Sequence, residues 1–258
     1  MIKIAGFLYP ADVAGITDVG KLRSSNQDRI ILDREHGFFG VSDGMGGLCR
    51  GADASAYVSE SLPRLIGICL KETAPTDSAE TMAERLRQVV AMLSDQLYAS
   101  GNAPGRFEYG ATLAGVWLYR DQAIFVDLGD SRGYLLPAGM DALEQVTQDM
   151  NVAGILVRNG QMTREEAAHS PASSQLTAFV GMEAPATPEV FLRPVRPGDL
   201  LLLCSDGLHG MVPEEEITAI LRAKRGAQAA CQALIDAANA HGGRDNISAV
   251  LIRVGEGL

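Results

Sequence analysis

Five aspartates stand where an apolar run meets a glycine or a turn, and carboxylates placed in this way could bind divalent cations. Two of them lie in matching segments, 41–47 and 204–210, which share the order apolar-Ser-Asp-Gly-apolar-x-Gly. Each segment ends an apolar run typical of a buried strand, so we expect each strand to deliver a carboxylate, Asp43 or Asp206, at its tip. The glycine that follows allows another backbone to approach closely.

The other three are Asp28 after Asn-Gln, Asp130 in a Gly-Asp-Ser-Arg segment, and Asp245 in a Gly-Gly-Arg-Asp-Asn segment. Taken singly, each fits a turn or cap aspartate, and Asp-Gly is commonly a hairpin turn. As a set they suggest one cluster, whose mutual repulsion requires protonation or cations. Oxygen ligands favour Mg²⁺ or Mn²⁺. The four histidines show no paired spacing, which argues against zinc.

Two such cations roughly 3.5–4 Å apart can share a water, lower its pKa towards about 7 and support in-line displacement at phosphorus. A phosphate site of this kind also needs a fixed cation. Arg23, five residues before Asp28, is the candidate because a guanidinium binds phosphate oxygens with two hydrogen bonds. An arginine seen alone is more often a solvated surface charge.

The elements that must position these residues follow from apolar periodicity. One helix is predicted over Ala52–Leu62, where Pro63 should end or kink it. A second is predicted around Met82–Leu97, with Asp77 and Glu80 as a capping pair. Two more are predicted after Pro213 and around Ala229–Ala240. Regular alternation of strand and helix is absent, which favours an α+β fold with antiparallel sheets covered by helices. The predicted strands are Ile30–Leu32, Phe38–Val41, Thr112–Tyr119, Ile124–Leu128, Tyr134–Leu136, Leu200–Cys204 and Ser248–Val254.

The composition narrows the class of protein. No low-complexity tract or linker divides the sequence, so residues 1–258 are predicted to form a single domain. The formal net charge of −10 argues against nucleic acid as a partner. Four scattered cysteines fit a reducing compartment, and no signal peptide or membrane span is recognisable. We therefore expect a cytoplasmic protein that does not bind membranes.

The ordered set of motifs resembles the bacterial metal-dependent serine/threonine protein phosphatases of type 2C, and the resemblance spans nearly the whole chain. The resemblance implies a four-layer α-β-β-α sandwich, with two central antiparallel sheets flanked by helix pairs and metals at one end. It also implies hydrolysis of phosphoserine and phosphothreonine by water that bridges two Mn²⁺ or Mg²⁺ ions. The motifs are Thr17-Asp18-Val19-Gly20 with Arg23 and Asn26-Gln27-Asp28, Asp43-Gly44-Met45-Gly46-Gly47, Gly110-Ala111-Thr112-Leu113, Gly129-Asp130-Ser131-Arg132, Ser205-Asp206-Gly207-Leu208 and Arg244-Asp245-Asn246-Ile247-Ser248.

Carried over by position, the resemblance makes Asp43 the carboxylate that bridges the two metals, with the Gly44 carbonyl as a further ligand. It makes Asp206 and Asp245 ligands of the second metal, and Asp28 a ligand through water. Asp130 would help hold a weaker third metal, and Arg23 would bind the substrate phosphate. The implied partners are phosphorylated proteins, the substrates of a cognate serine/threonine kinase, and the implied state is a monomer.

Several positions depart from the family pattern. Met45 stands where animal enzymes carry a histidine proposed as general acid, and methionine cannot donate a proton. Leu48-Cys49-Arg50-Gly51-Ala52 replaces a Gly-Gly-His-x-x-Gly-Glu continuation common in bacterial relatives. The flap, 149–181, has Asp-Met-Asn and Leu-Thr-Ala-Phe-Val-Gly where Asp-His-Ser and Leu-Thr-Arg-Ala-Leu-Gly are usual. These changes leave the aspartates intact and bear on substrate choice and turnover.

Two alternatives remain open at this level. Gly129, Ser131 and Gly133 fit the G-x-S-x-G pattern of serine hydrolases, with His209 and His241 downstream in a possible triad order. That pattern requires a helix after the serine, whereas residues 134–136 predict a strand. The second alternative is a pseudophosphatase that binds phosphoproteins without hydrolysing them, since a fold does not guarantee an activity. Retention of the carboxylates and Arg23 argues against it.

Overall fold

The computed structural model describes residues 1–46, 50–74, 76–102, 109–183 and 185–255. The described strands are β1 (Ile2–Lys3), β2 (Pro10–Asp18), β3 (Asp28–Asp33), β4 (Phe38–Gly46), β5 (Tyr109–Ala111), β6 (Leu113–Tyr119), β7 (Gln122–Leu128), β8 (Arg132–Leu136), β9 (Glu144–Gln145), β10 (Glu189–Pro194), β11 (Leu200–Cys204) and β12 (Ile247–Val254). The described helices are α1 (Arg50–Lys71), α2 (Ala79–Gly101), α3 (Val152–Arg158), α4 (Arg164–Ala168), α5 (Asp206–His209), α6 (Glu214–Ala223) and α7 (Ala227–Ala240), with a 3₁₀ turn at Pro171–Ser174.

The strands form two antiparallel sheets. One has the order β1-β2-β12-β11-β8-β9, and the other has the order β10-β7-β6-β4-β3 with β5 paired to β4. The register of β3 on β4 places Asp28 directly opposite Asp43. In the first sheet, Ile247 at the start of β12 lies opposite Asp18 at the end of β2. The ends that carry the motif aspartates therefore gather at one end of both sheets.

Three apolar layers hold these elements together. The layer between the sheets includes Phe39, Val116 and Phe125. A second layer, around Trp117, packs α1 and α2 on the outside of one sheet. A third, around Tyr134, packs α6 and α7 on the outside of the other sheet. This order of layers confirms the predicted four-layer α-β-β-α sandwich.

The predictions that the helix could end at Pro63 and that Asp77 belongs to a capping pair were wrong. Helix α1 continues through Pro63 to Lys71, because its buried face of Leu62, Ile66 and Cys69 packs without interruption and outweighs a proline cost of about 3 kcal/mol. The N-cap of α2 is Ser78, whose hydroxyl accepts from the Thr81 amide at 3.3 Å. Asp77 instead pairs with Arg85 at 3.2 Å.

Strand β2 was not predicted, because its glycine and two aspartates weaken the apolar signal, although its backbone pairs with β12 from Ala11 to Asp18. Of the four cysteines, Cys69, Cys204 and Cys231 are buried and free, as expected of small apolar side chains. Cys49 falls outside the described residues. Within the described residues, no helix combines the length and the apolar character that crossing a membrane requires.

Candidate metal centre

Asp28 and Asp43 form the base of the candidate site. They face each other across β3 and β4, and burial, followed by the charge of Asp28, raises the pKa of Asp43. Two buried hydroxyls, those of Ser205 and Ser248, each donate to Asp28 Oδ2 at 2.7 Å. Asp28 Oδ1 is buried without a protein partner. One oxygen of Asp28 is therefore fixed by the protein, and the other remains available to a ligand.

The Asp43 segment does not end its strand as predicted, because β4 continues to Gly46 and pairs with β5. Thr112 holds Asp43 from both sides: its amide donates to the Asp43 carbonyl at 2.8 Å, and its hydroxyl accepts from the Asp43 amide at 3.0 Å. Gly44 is buried, and its amide donates to the Gln27 carbonyl at 3.1 Å. The neighbouring Gly47, in the same motif, lies outside the described residues.

Asp206 reaches the site from the other sheet. It is the first residue of the short helix α5, directly after β11, and Ser205 beside it is one of the two hydroxyl donors to Asp28. Asp206 Oδ1 is buried without a protein partner, like Asp28 Oδ1. The repeated Ser-Asp-Gly segments therefore come together at one end of the sandwich, as their shared pattern predicts.

Asp245 is placed by its neighbour Asn246, whose side chain was quoted in a motif but given no role from the sequence. The Asn246 side chain accepts from the Gln27 amide at 2.8 Å and donates to the carbonyls of Val19 and Ser25 at 2.9 and 3.0 Å. The buried asparagine thus ties the loop that carries Arg23 to the start of β12. The sequence does not show that these two loops are adjacent, so it could not assign this linking role to Asn246.

Arg23 extends over the cluster and bonds Asp245. Its Nη2 lies 2.7 Å from Asp245 Oδ2, and its side chain is 56% exposed. The hydrogen bond and the charge of Asp245 raise the pKa of Arg23. The charges of Asp43 and Asp206 act in the same direction. Arg23 is therefore a solvent-facing cation at the rim of the cluster, with further N–H donors beyond the one that Asp245 occupies.

Asp130 lies at the side of the cluster. The Asn151 amide is 3.5 Å from Asp130 Oδ2, and His209 Nε2 is 3.0 Å from the Asp130 carbonyl oxygen. Burial lowers the pKa of His209 to about 3, so its imidazole is neutral and donates its Nε2–H to that carbonyl. The sequence noted His209 only as a possible triad member. In the structure it positions the backbone of Asp130.

The carboxylates destabilise one another's charged forms. Burial first, and then the charges of Asp130, Asp245 and Asp28, raise the pKa of Asp206 to about 8. Burial and the charges of Asp28 and Asp206 raise the pKa of Asp43 well above its ordinary value. Burial, followed by the charge of Asp149, raises the pKa of Asp130 to about 6. A divalent cation would stabilise the ionised forms of all of these groups.

The described residues supply the oxygen ligands that such a cation prefers, without a preformed arrangement around it. Among the described residues, no three Asp, Glu, His or Cys side chains already meet the geometry of a metal site. The fit rests on two unpartnered buried oxygens, Asp28 Oδ1 and Asp206 Oδ1, beside the charges of Asp43 and Asp245. These are oxygen donors only, the type that Mg²⁺ and Mn²⁺ prefer.

The geometry excludes a serine triad at the Gly129–Gly133 motif. Ser131 is buried, its hydroxyl lies 2.7 Å from that of Thr112, and strand β8 rather than a helix follows it. His209 is engaged by the Asp130 carbonyl and His241 by Glu216 at 2.9 Å. Neither histidine is bonded to Ser131, so within the described part of the chain neither serves this serine as a general base.

The atypical flap is anchored at its start by an ion pair that the sequence did not predict. Arg132 donates from Nε and Nη2 to the two carboxylate oxygens of Asp149, at 2.8 and 2.7 Å. Arg158 donates to the Asp149 carbonyl at 2.9 Å, and Asn151 caps α3 by accepting from Gly154. Asn151 therefore joins the flap to Asp130, a structural use of a position that departs from the family pattern. Met45 lies in β4, two residues after Asp43.

Comparisons with known proteins agree with this geometry. The family model described as Protein phosphatase 2C matches residues 22–223. The serine/threonine phosphatase stp of Listeria monocytogenes is 34% identical over 241 residues, covering 92% of this chain and 93% of the relative. The protein phosphatase PhpP of Streptococcus pneumoniae is 28% identical, covering 95% and 98%.

Solved structures give the same result. The serine/threonine phosphatase of S. agalactiae aligns with a TM-score of 0.84 at 28% identity, covering 95% of this chain and 99% of that one. The catalytic domain of PstP in complex with two manganese ions aligns with a TM-score of 0.77 at 28% identity, with the same coverage. The chain belongs to the protein phosphatase 2C family.

Proposed function

We propose that residues 1–258 form one catalytic domain in which Asp28, Asp43, Gly44, Asp206 and Asp245 hold two Mn²⁺ or Mg²⁺ ions. The chain is a metal-dependent phosphoprotein phosphatase that acts on phosphoserine and phosphothreonine, as its family and its named serine/threonine phosphatase relatives indicate. The observation that carries the proposed site is the convergence of the two Ser-Asp-Gly segments at one end of the sandwich, with Asp28 between them.

Bound divalent cations lower the pKa of a water and neutralise charge on the phosphoryl group. The chain's own part is to place carboxylates and a guanidinium around that group. In the proposed site Asp43 would bind both ions, with the Gly44 carbonyl as a further ligand. Ser205 and Ser248 hold Asp28 Oδ2, so Asp28 would contribute its Oδ1, through a water. Asp130, whose carbonyl accepts from His209, would help to hold a weaker third ion.

Direct attack by water is supported by the state of the nearby hydroxyls. Ser205 and Ser248 donate to Asp28, and Ser131 is buried against Thr112. These three serines are therefore held in structural hydrogen bonds and are poor nucleophiles, which argues against a phosphoserine enzyme. Met45 has no proton to give, so the leaving alkoxide oxygen would take its proton from water or from another group.

The proposal is tested by metal dependence with defined substrates. Hydrolysis of phosphoserine and phosphothreonine peptides should stop after EDTA treatment and return with Mn²⁺ or Mg²⁺, and acid quenching should trap no phosphorylated protein. A phosphotyrosine peptide of the same sequence serves as the comparison substrate. Activity that survives EDTA, or a trapped phosphoenzyme, would overturn the mechanism.

Arg23 gives a separate prediction. Arg23→Ala should raise KM for a phosphopeptide by about tenfold or more with a smaller change in kcat, because it removes ground-state binding of the phosphate. Arg23→Lys keeps the charge but not the paired donors, so its KM should lie between those of the wild type and of Arg23→Ala. Because Arg23 also bonds Asp245, the assays are run at saturating Mn²⁺. An unchanged KM would show that Arg23 does not bind the phosphate.

The wider setting is also proposed. The substrates are phosphorylated proteins supplied by a cognate serine/threonine kinase, and the enzyme acts as a cytoplasmic monomer. A binding-only pseudophosphatase is disfavoured because Asp43, Asp206 and Asp245 are all retained, and loss of a metal carboxylate would be its expected sign.

A further inference from the structure

A small cavity lies at the end of the sandwich opposite the aspartates. Leu200, the first residue of β11, pairs with Leu136 at the end of β8 and with Arg253 near the end of β12. These positions are roughly 15–20 Å from Asp206, because β11 and the residues after it rise about 3.3 Å each. The cavity has a volume of about 190 Å³, and Leu136, Leu200 and Leu221 line it together with the guanidinium-bearing Arg222 and Arg253.

The two arginines play different roles. Arg253 Nη1 donates to the carbonyls of Leu221 and Lys224 at 3.4 and 3.2 Å, and so caps the C-terminal end of α6. Arg222 Nη2 lies 3.2 Å from Asp141 Oδ1, whose side chain is 96% exposed. An ion pair with so exposed a partner is weak, and it can open to admit another carboxylate.

Further bases lie within three residues, along the chain, of residues that line the cavity. Arg196, Lys224 and Arg225 are exposed, and the side chains of Lys224 and Arg225 have no hydrogen bond or ion pair within the described part of the chain. The acids nearby are largely occupied. Asp199 accepts from the amides of Arg196 and Ala138, and Asp12 accepts from the amide of Ala227. We call the five bases Arg196, Arg222, Lys224, Arg225 and Arg253 the distal basic patch.

A helix dipole does not account for this patch. Basic residues often follow a helix C-terminus because they complement its partial negative charge. Here Arg253 already bonds the last carbonyls of α6, yet Lys224 and Arg225 remain unpaired. Within the patch Arg196 lies 3.9 Å from Asp199 and donates to the Ala138 carbonyl, and Arg222 pairs with Asp141, whereas the side chains of Lys224 and Arg225 are unpaired within the described residues. Five neighbouring bases are notable in a chain whose net charge is −10, since its overall charge repels acidic partners.

We propose that the distal basic patch is a docking site for an acidic segment of the phosphoprotein substrate. The proposal rests on the proposed phosphatase function. The guanidiniums bind Asp or Glu carboxylates, and the leucines at the cavity wall cover the methylene groups of one such side chain. A substrate tethered there by a flexible segment meets the metal centre at a raised effective concentration, which lowers KM without touching the chemistry.

The experiment compares two phosphothreonine peptides that differ in one respect. One carries a tail of glutamates on a linker of about 20 flexible residues, which spans about 25 Å on average. The other carries the linker alone. The variant is the triple reversal Arg222→Glu, Lys224→Glu and Arg225→Glu. The matched control is Lys3→Glu, Arg64→Glu and Lys71→Glu, three exposed bases elsewhere with the same total charge change.

In the wild type and the control, KM should be lower for the tailed peptide by about tenfold, and the difference should vanish in the triple variant. Hydrolysis of p-nitrophenyl phosphate should be unchanged in both variants, which shows that the metal centre is intact. Equal KM values for the two peptides in the wild type, or an equal loss in the control, would overturn the docking site.

A binding measurement separates this proposal from the phosphatase mechanism. Fluorescence anisotropy of the unphosphorylated glutamate tail, recorded in EDTA, needs no turnover. We expect binding that weakens steeply with salt and by about tenfold in the triple variant. Displacement of the tail by an equal concentration of inorganic phosphate would mean that the patch binds small anions only, and would contradict the proposal even if hydrolysis behaves as predicted.

Discussion

Asp43→Asn should lower kcat by about three orders of magnitude or more, while the protein stays folded. Asp43 faces Asp28 across the strand register and lies close enough to Asp206, Asp130 and Asp245 for all of their charges to act on it. In the proposed site it is the carboxylate shared by both ions. Asparagine keeps the size and one oxygen, so the change removes charge without removing volume. The measurement is kcat on a phosphothreonine peptide at saturating Mn²⁺.

The large loss of kcat is expected because Asp43 is proposed to bind both ions. Loss of a carboxylate that serves one ion weakens that ion, whereas loss of a shared one weakens both. Asp95→Asn is the control, because Asp95 is an exposed aspartate on α2 and should behave as wild type. Circular dichroism and the melting temperature exclude unfolding. If Asp43→Asn keeps more than a tenth of the wild-type kcat, Asp43 is not the central ligand.

The second large effect is expected from Gly207→Ala. Gly207 follows Asp206 in α5, and a Cβ at this position would overlap the backbone carbonyl oxygen of Asn246. The backbone of α5 must then move away from the start of β12, which separates Asp206 from Asp245. A displacement of about 1 Å in a catalytic arrangement can cost about 100-fold in rate. We therefore expect kcat to fall by about that factor, and Mn²⁺ affinity and melting temperature to fall with it.

Gly139→Ala is the matched control for this change. Gly139 lies in a turn far from the aspartates, with φ of +78° and no atom within 4 Å of an added Cβ. Alanine there meets backbone strain of about 1–2 kcal/mol but no clash, so the melting temperature should fall while kcat on p-nitrophenyl phosphate stays unchanged. Equal kcat values for Gly207→Ala and wild type would show that the contact with Asn246 does not set the spacing of the two carboxylates.

The sequence was informative where residues able to bind a metal lie in a recognisable motif or next to a clear apolar run. The repeated Ser-Asp-Gly segments predicted that Asp43 and Asp206 belong together, and the structure brings both to one end of the sandwich through Ser205 and Asp28. The apolar runs located the central strands because burial on both faces leaves a continuous apolar signal. The fold class followed from the strand and helix pattern and, in its four-layer detail, from the resemblance.

Other features depend on neighbours that a single sequence does not reveal. Asp28 and Asp43 face each other because of the register of β3 on β4. That register depends on the loop between the two strands and on which face of each strand is packed in the core. The clamp by Asn246 and the neutral His209 at the Asp130 carbonyl need loops that are distant along the chain. Pro63 stays inside α1 because tertiary burial outweighs a local preference.

The most direct test of the metal centre is a Mn²⁺ titration by isothermal calorimetry, with the protein first freed of metal by EDTA. It measures binding itself and does not depend on substrate choice or on the flap. The proposed site predicts at least two ions per wild-type chain, no high-affinity ion in Asp43→Asn, and unchanged binding in Asp95→Asn. Two ions bound by Asp43→Asn with wild-type affinity would contradict the proposal that these aspartates form one metal centre.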